Sequence, residues 1–341
     1  MSAAPKRRLS IQVVTWNSAD VIDGCLASIL AEDHPDVETI VVDNASRDGS
    51  AERADAWIAR GLRGAVVRAE ENLGFCGGQN LAFRRSEGDL VLLLNPDARL
   101  TPGFADARLA PGFAARAIAL GDAADPEIGI FAPRVLLPDG RIDSVGLELD
   151  RLRRAWDRGA GEPGEGAYLV EEDVFGATGA AALLRRTMVR DVAIDGAVLD
   201  ERIFAYCDDV DLAWRARLRG WRCRYAPSLV VEHGRAGRNA LRTDAGRPRR
   251  VLEQRLMVRN RLLVIAKCEG LRALAAAAPL LLAFELARIA FLAWRAPRVL
   301  GAYRELAALL PAALRDRARI QRRRQSDARI PLAARLVRRA A

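Results

Sequence analysis

The feature that most constrains the fold is the stretch DLVLLLNPD, which runs from Asp89 to Asp97. Its five consecutive aliphatic residues, Leu90 to Leu94, predict a short strand buried on both faces, as in a parallel sheet covered by helices. Pro96 cannot continue a hydrogen-bonded ladder, so the chain leaves the sheet there and Asp97 lies at its carboxyl edge. Open α/β sheets bind ligands at that edge, and a carboxylate there can hold a divalent cation. A plain strand-to-loop turn explains the same residues without a ligand.

Strands and helices alternate in the residues that precede this stretch. The β-branched and aliphatic runs Ser10–Thr15, Val37–Val42 and Ala65–Arg68 predict three strands. Between them, apolar residues recur at helical spacing, and polar turns rich in Asn, Asp and Ser begin the helices. Four strands joined by helices within one hundred residues predict an α/β fold made of doubly wound βαβ units.

Polar side chains follow the ends of two of these strands. Thr15 and Asn17 come at the end of the first strand, and Asp43 comes directly after the second. Because parallel strands end at the same edge of a sheet, we expect the three side chains to face one crevice. Asp43 is placed to accept a hydrogen bond from a base imide or a ribose hydroxyl. A local turn or a helix cap is the alternative role for Asp43.

A glycine-rich loop, ENLGFCGGQN, opens the third predicted helix and covers Glu71 to Asn80. Its glycines, among them Gly77, let the backbone approach a ligand closely, and the Asn80 amide can both donate and accept. The loop matches neither the dinucleotide pattern GxGxxG nor the Walker A pattern, so NAD or ATP binding by those routes is not supported. An ordinary tight turn also explains the glycines.

A second group of polar residues begins with three acids, Asp208, Asp209 and Asp211, at the start of a helix predicted to end near Gly220. Acids at a helix N-terminus are commonly caps that also suit the helix dipole. Three acids in four residues exceed what capping needs, and a carboxylate can serve as the general base for an acceptor hydroxyl.

A histidine follows this group at the end of the predicted strand SLVVEH. A neutral imidazole at His233 is able to complete a metal site with Asp97. A purely structural role is the alternative for a histidine at a strand end.

Four motifs in order, VVTWN, VVDNASRDGS, ENLGFCGGQN and LLLNPDARL, resemble the inverting GT-A glycosyltransferases of family 2, most closely the rhamnosyltransferase-like branch. The resemblance runs from about residue 10 to about residue 238. It implies the GT-A fold, a mixed α/β sheet with helices on both faces, in a domain of residues 1–245. A nucleotide half at about 1–100 and an acceptor half at about 125–240 are implied within it. Trp16, where Tyr is common, and Cys76, where Gly is common, depart from the pattern.

The resemblance also implies roles for individual residues and for a divalent cation, Mg²⁺ or Mn²⁺. Asp209 becomes the catalytic base with Asp208 as its supporting neighbour, and Asp97 and His233 become metal ligands. The residues implied to bind the nucleotide sugar are Thr15, Asn17, Asp43, Asn72, Gly77, Asn80, Asn95 and Asp97.

The implied reaction is a single in-line displacement that inverts the anomeric carbon. The donor is a sugar nucleotide carried by thymidine or uridine diphosphate, with rhamnose as the expected sugar. The acceptor is a polysaccharide or a polyprenyl-linked glycan of the cell envelope. Two other classes remain open, a nucleotide-sugar-binding protein without catalysis and a membrane-peripheral scaffold on the same fold.

The C-terminal part of the chain differs in charge from the rest. Residues 247–341 hold 22 Lys and Arg against 6 Asp and Glu, a balance of +16, which leaves −7 for residues 1–246 out of a total of +9. Between Leu262 and Leu310 the tail is nearly all apolar, with isolated charges. Its longest run without a charge, from Ala273 to Phe284, has 12 residues, short of the roughly 20 that span a bilayer. We therefore expect no membrane-spanning segment here.

Arginine-rich amphipathic helices in residues 246–341, with Phe291 and Trp294 on their apolar side, fit a seat on an anionic inner leaflet instead. A helical interface with another protein is the alternative. Nucleic acid is not expected as a partner, because the aromatic residues lie among aliphatic ones. The five cysteines form no CxxC pair, which favours a reducing cytoplasm as the compartment. We therefore expect the protein at the cytoplasmic, inner face of the membrane.

Overall fold

The computed structural model describes residues 9–32, 34–101, 112–166, 168–235 and 247–325, together with residue 332. The sequence predicts one or two helices between Pro102 and Asp125, and residues 102–111 of that region lie outside the described residues. The end of the basic tail, beyond residue 332, also lies outside them.

The described residues form a mixed α/β structure, which confirms the predicted fold class. Its strands are Leu9–Thr15 (β1), Val37–Asp43 (β2), Gly64–Arg68 (β3), Leu90–Leu94 (β4), Ala98–Leu100 (β5), Ile128–Leu136 (β6), Ile142–Ser144 (β7), Leu147–Leu149 (β8), Ala155–Asp157 (β9), Glu172–Val174 (β10), Ala181–Arg185 (β11) and Arg222–His233 (β12). Its α-helices are Ile22–Leu30 (α1), Ser50–Ala59 (α2), Gly74–Arg85 (α3), Phe113–Ala123 (α4), Arg186–Val192 (α5), Asp208–Leu218 (α6), Arg247–Cys268 (α7), Leu271–Arg295 (α8) and Gly301–Arg322 (α9). Short 3₁₀ turns cover Glu201–Ile203 and Pro297–Leu300.

Ten of the strands form one sheet with the order β10-β12-β6-β11-β4-β1-β2-β3, in which β5 also pairs with β12 and β7 with β6. The strands β3, β2, β1 and β4 are parallel, as the alternation of strand and helix predicts. Beyond β4 the sheet becomes mixed, because β11 runs antiparallel to both β4 and β6. The parallel half therefore brings the carboxyl ends of β1, β2 and β4 to one edge.

The predicted central strand has the bounds that the sequence indicates, Leu90–Leu94, and all five of its residues are buried. Leu90, Leu92 and Leu94 pack into the hydrophobic core on one face of the sheet, with α1 and α4. Val91 and Leu93 pack into the core on the other face, with α5 and α6. An uninterrupted aliphatic run is required here because successive side chains of a strand point to opposite faces and both faces are covered.

The C-terminal helices α7 and α9 pack against each other and against α6. Leu263, Val264 and Cys268 of α7 are buried in the same core as Trp214 of α6, and Ile320 of α9 joins them. The division between residues 245 and 246 stays a prediction. The described part of the tail nevertheless shares its hydrophobic core with the α/β domain.

Helix α8 is different from its neighbours because 17 of its 25 residues are exposed. Of its 25 residues, only Leu281 and Leu292 are buried. Within the described residues it is the one helix that is long and apolar enough to cross a membrane, judged by length and composition alone. The sequence leads us to expect no spanning segment, and this helix leaves that expectation open.

Candidate active site

A cavity of about 720 Å³ opens at the carboxyl edge of the parallel strands, and we call it the edge cavity. One wall comes from the ends of β1 and β4 and from the turn before α3, and it includes the predicted residues Asn17, Asn72, Asn95 and Asp97. The opposite wall comes from the loop that precedes α6 and from α7. Four predicted residues from three separate motifs are thus brought together at one cavity.

Asn17 and Asn72 also hold the cavity wall in shape. Asn17 has a left-handed backbone, with φ of 51°, and its side-chain oxygen accepts a hydrogen bond from the backbone N–H of Arg47 at 2.9 Å. The side-chain oxygen of Asn72 accepts from the N–H of Gly74 at 2.9 Å. Asn and Gly are the residue types that tolerate such turns at low cost.

Thr15 and Asp43 lie just behind this wall, side by side in register at the ends of β1 and β2. Both are almost completely buried. Asp43 accepts a hydrogen bond from the N–H of Ser46 at 3.0 Å through Oδ2. Its Oδ1 and the Oγ1 of Thr15 have no hydrogen-bond partner among the described residues. Buried polar atoms are nearly always paired, so this pair of unpaired oxygens needs an explanation.

The structure corrects the expected role of Asn80. Its amide nitrogen donates to the carbonyl oxygen of Leu199 at 2.8 Å and to the carboxylate of Glu201 at 3.0 Å. Its side-chain oxygen accepts from the N–H groups of Val198 and Leu199, each at 3.0 Å. All four of its hydrogen-bonding positions are used inside the protein. Asn80 therefore holds residues 198–201 in place and has nothing left to offer a nucleotide sugar.

The expected role of Gly77 in binding the nucleotide sugar is also corrected by its position. It is buried inside α3 and does not line the edge cavity. A Cβ atom there would lie 2.7 Å from the Cβ of Leu73, so the glycine avoids a close contact next to its own helix. Of the glycines in this loop, Gly74 is the one that lines the cavity. A Cβ atom there would lie 2.6 Å from the carbonyl oxygen of Phe204, so only glycine fits at this position.

Asp97 and His233 lie side by side, as the sequence predicts. Strands β5 and β12 pair there, and the distance from His233 Nε2 to Asp97 Oδ1 is 3.2 Å. The other ring nitrogen, Nδ1, is 2.7 Å from Oδ2 of Asp143, which also pairs with Arg235. Burial alone lowers the pKa of His233, but its hydrogen bonds to Asp143 and Asp97 outweigh burial and raise that pKa to about 9.

This arrangement fits a divalent cation that also binds a substrate. A neighbouring carboxylate on one ring nitrogen fixes the histidine tautomer and directs the other nitrogen toward the ion. Among the described residues, no group of three or more His, Cys, Asp or Glu is suitably arranged to hold a metal by itself. Mg²⁺ and Mn²⁺ commonly bind to one or two protein ligands together with substrate phosphates. Asp97 and His233 suit that kind of site and not a closed protein cage.

Asp208 and Asp209 begin α6, and both line a small separate cavity beside Gly179. Asp209 accepts hydrogen bonds from the N–H groups of Gly179 at 3.1 Å and Val210 at 2.8 Å. Burial, with the nearby charge of Asp157, raises the pKa of Asp209 to about 6. Burial and the charge of Asp209 raise the pKa of Asp208 to about 8. Asp209 is therefore the more readily ionised of the two acids.

The structure adds lining residues that the sequence argument missed. Two exposed aromatic side chains, Trp16 and Tyr206, line the edge cavity from opposite walls. Leu252 and Leu256 of α7 complete the second wall. Two of these residues could have been found from the sequence, because Trp16 lies inside the first motif and Tyr206 lies two residues before the acid pair. No local pattern marks the two leucines.

Comparison with known proteins agrees with this geometry. Residues 10–128 match the family model described as glycosyl transferase family 2. A Mycobacterium tuberculosis protein named N-acetylglucosaminyl-diphospho-decaprenol L-rhamnosyltransferase is 29% identical over 256 residues, which cover 67% of this chain and 76% of that protein.

Two solved structures show the same fold. Residues 1–349 of Staphylococcus aureus TarS with UDP-GlcNAc match with a TM-score of 0.52 and 16% identity, over 92% of this chain and 90% of that one. The mannosyltransferase PcManGT of Pyrobaculum calidifontis with GDP-Man and Mn²⁺ matches with a TM-score of 0.50 and 19% identity, over 93% and 88%.

Proposed function

We propose that this chain moves rhamnose from a nucleoside-diphosphate donor to a lipid-linked glycan. The chain carries a family 2 glycosyltransferase domain on a GT-A fold, and it is therefore a transferase. The observation that carries the proposal is the edge cavity, where residues of three separate motifs meet at the carboxyl ends of the parallel strands. The choice of rhamnose and of a polyprenyl-linked acceptor for cell-envelope synthesis is supported by the name of the mycobacterial relative.

The nucleotide half of the donor lies, in this proposal, against Asn17, Asn72 and Asn95. The unpaired buried oxygens of Thr15 and Asp43 support it, because a nucleoside offers hydrogen-bond donors in its base imide and ribose hydroxyls. Asp43 accepts such a donor, and the Thr15 hydroxyl can both donate and accept. The carrier is thymidine or uridine diphosphate.

The diphosphate lies beside Asp97 and His233, which would hold Mg²⁺ or Mn²⁺. When bound, the ion supplies positive charge against the negative charge that develops on the leaving diphosphate. Asp97 would contribute an oxygen, and His233 would contribute the lone pair of Nε2 after that nitrogen releases its proton to solvent, while Asp143 would keep the proton on Nδ1.

Asp209 is the general base of the proposed reaction. It takes the proton of the acceptor hydroxyl as the hydroxyl oxygen forms a bond to the anomeric carbon. The bond from that carbon to the diphosphate oxygen breaks with its electron pair leaving on the nucleoside diphosphate, so the configuration inverts. Burial and the charge of Asp209 raise the pKa of Asp208, which disfavours a second negative charge beside the base.

Helix α8 supports a place at a membrane surface. Between Arg272 and Arg295 its two charged residues, Glu285 and Arg288, turn toward the protein, where Glu285 pairs with Arg261 at 2.6 Å. The exposed residues between those arginines are all apolar, and they include Phe291 and Trp294. An apolar surface about 30 Å long with arginine at each end suits an anionic bilayer. We place this helix at the cytoplasmic face, where the lipid-linked acceptor lies.

The first test is hydrolysis of nucleotide sugars by the purified full chain with Mn²⁺ or Mg²⁺ and no acceptor. We expect one donor of the panel to be hydrolysed by wild type and not by Asp97→Ala. The exposed Asp139→Ala variant is the matched control and should behave as wild type. A panel in which every donor is bound but none is hydrolysed favours a binding protein, and a panel in which none is bound favours a scaffold.

The membrane proposal has its own test. Leu282→Asp with Leu286→Asp should abolish sedimentation with vesicles that contain anionic lipid, because both leucines are exposed on α8. Leu314→Asp alters an exposed leucine on α9 and serves as control. Equal binding by wild type and the α8 variant would reject the membrane surface and favour a protein partner.

A further inference from the structure

The loop that leads into the base helix has an unusual backbone. Phe204, Tyr206 and Cys207 have positive φ angles of 67°, 66° and 64°. Cys207 is left-handed, whereas Phe204 has a ψ of −62° and is the central residue of a γ-turn, in which the N–H of Ala205 donates to the carbonyl oxygen of Ile203 at 2.8 Å. A residue with a Cβ atom is strained by roughly 1 kcal/mol or more in such a conformation, and none of the three is glycine. Such a loop persists only if its surroundings hold it.

One side chain of α7, Asn260, contacts three backbone carbonyl groups of this loop. Asn260 is completely buried, and its amide nitrogen lies 2.9, 2.8 and 2.9 Å from the carbonyl oxygens of Ile203, Ala205 and Tyr206. The two amide hydrogens are thus shared among three acceptors. Three carbonyl groups can converge on one nitrogen only if the backbone folds around it. The residues with positive φ produce that fold, so Asn260 and the loop conformation depend on each other.

Two neighbouring groups complete the attachment. Arg259 donates through Nη2 to the carbonyl oxygens of Arg202 at 2.8 Å and Ile203 at 3.0 Å. The N–H of Cys76 in α3 donates to the carbonyl oxygen of Phe204 at 3.1 Å. Residues 203–206 are therefore fixed by side chains and by another helix, and not by a strand ladder.

The loop forms part of the edge cavity and leads directly into the helix that carries the proposed base. Phe204, Ala205 and Tyr206 line the edge cavity, and Asp208 and Asp209 follow directly at the start of α6. A shift of this loop would move the cavity wall and the proposed base together. A misplacement of about 1 Å can cost an enzyme about 100-fold in rate.

We propose that Asn260 is a positioning residue for sugar transfer, which holds loop 203–207 so that the cavity wall and Asp209 have their working arrangement. The inference rests on the proposed function and extends it to the C-terminal part of the chain. It makes α7 a component of the active site, although α7 lies outside the four motifs between residues 13 and 100.

The test compares Asn260→Asp and Asn260→Ala with Val264→Ala in the full chain. Asn260→Asp keeps the shape but replaces the donor by an oxygen that faces three carbonyl oxygens. Val264 is buried on the same helix, and its apolar side chain donates no hydrogen bond, so its variant controls for loss of packing. For each protein we would measure kcat for rhamnose transfer to the lipid-linked acceptor and the affinity for nucleoside diphosphate. We would also measure the melting temperature and the amide hydrogen exchange of residues 203–209.

We expect both Asn260 variants to exchange residues 203–209 faster and to lose about 100-fold in kcat, with the affinity for nucleoside diphosphate unchanged. Val264→Ala should lower the melting temperature with kcat unchanged. Unchanged exchange in the Asn260 variants overturns the attachment itself. Faster exchange with kcat no lower than in Val264→Ala overturns its role in transfer. A wild type that transfers no sugar, with a protected loop, overturns the proposed function and the catalytic purpose of Asn260 while leaving the attachment intact.

Discussion

The two walls of the edge cavity are held in place by different means. On the nucleotide side, Thr15 and Asp43 end two hydrogen-bonded parallel strands, so the register of the sheet fixes their relative position. On the base side, Phe204 and Tyr206 belong to a loop with positive φ angles and no ladder, held by Asn260, Arg259 and the N–H of Cys76. The first wall therefore depends on many equivalent backbone hydrogen bonds, whereas the second depends on a few side chains. Single substitutions should therefore act differently on the two walls.

The largest effect is expected at the base itself. Asp209→Asn removes the group that takes the acceptor proton, so kcat for transfer should fall about 10³-fold, within the usual range for a general base. Nucleoside-diphosphate affinity, measured by calorimetry, should stay at the wild-type value because the nucleotide wall is unchanged. A parallel loss of affinity and rate would show that the two walls are not independent.

A second large effect should follow from cutting another tie between α7 and the base side. Lys267 is buried and pairs with Asp200 and, at 2.7 Å, with Asp211 of α6. Lys267→Met leaves these two carboxylates short of a cation and should lower the free energy of unfolding by about 3 kcal/mol, measured by urea denaturation.

Arg319→Met is the control for that experiment. Arg319 pairs with Asp195 on the surface, where an ion pair contributes less than about 1 kcal/mol. Similar losses of stability in the two variants would contradict the idea that α7 is tied to α6 through a buried charge.

The nucleotide wall was open to prediction from sequence because its signals are local. The run from Leu90 to Leu94 needs only burial on both faces to become a strand, and its end fixes where Asp97 lies. The acid pair at the start of α6 is equally local. Asn80 shows the limit of this reasoning, because its partners at residues 198–201 are more than one hundred residues away along the chain.

The wall formed by α7 was not open to prediction for the same physical reason. Asn260 contacts carbonyl groups 54 to 57 residues earlier, and a backbone carbonyl leaves no trace in the sequence. In α8, Glu285 and Arg288 look like charges that interrupt an apolar surface. Tertiary pairing with Arg261 and Tyr303 turns them inward, which no periodicity could indicate.

With the divalent cation at a saturating concentration at every pH, the pH dependence of transfer should report on the base side. The pKa of Asp209 is raised to about 6, and the base is active when ionised, so kcat should fall about tenfold between pH 7 and pH 5. Because this folded-state pKa lies above the ordinary value of 3.8, the acid also lowers the stability of the fold as the pH rises from about 4 to about 6.

Asp208→Asn provides the comparison for that profile. Burial and the charge of Asp157 shift the pKa of Asp209, so removal of the Asp208 carboxyl should leave the midpoint near 6. A rate that stays constant from pH 7 to pH 5 would exclude Asp209 as the base.

The smallest effect is expected on the nucleotide wall. A comparison of two buried threonines there distinguishes a hydroxyl that binds the nucleotide from one that is merely buried. Thr15 and Thr39 are both fully buried, and the Oγ1 atom of each lacks a hydrogen-bond partner among the described residues. Thr15 ends β1 at the cavity edge, whereas Thr39 lies within β2, opposite Gly64. Thr15→Val should weaken nucleoside-diphosphate binding about fivefold, the effect of one hydrogen bond of about 1 kcal/mol, without loss of stability. Thr39→Val should leave the affinity unchanged, because its hydroxyl lies inside the sheet. If the two variants bind the nucleotide equally well, the unpaired oxygen of Thr15 is a feature of packing, and the nucleotide wall must be assigned to other groups.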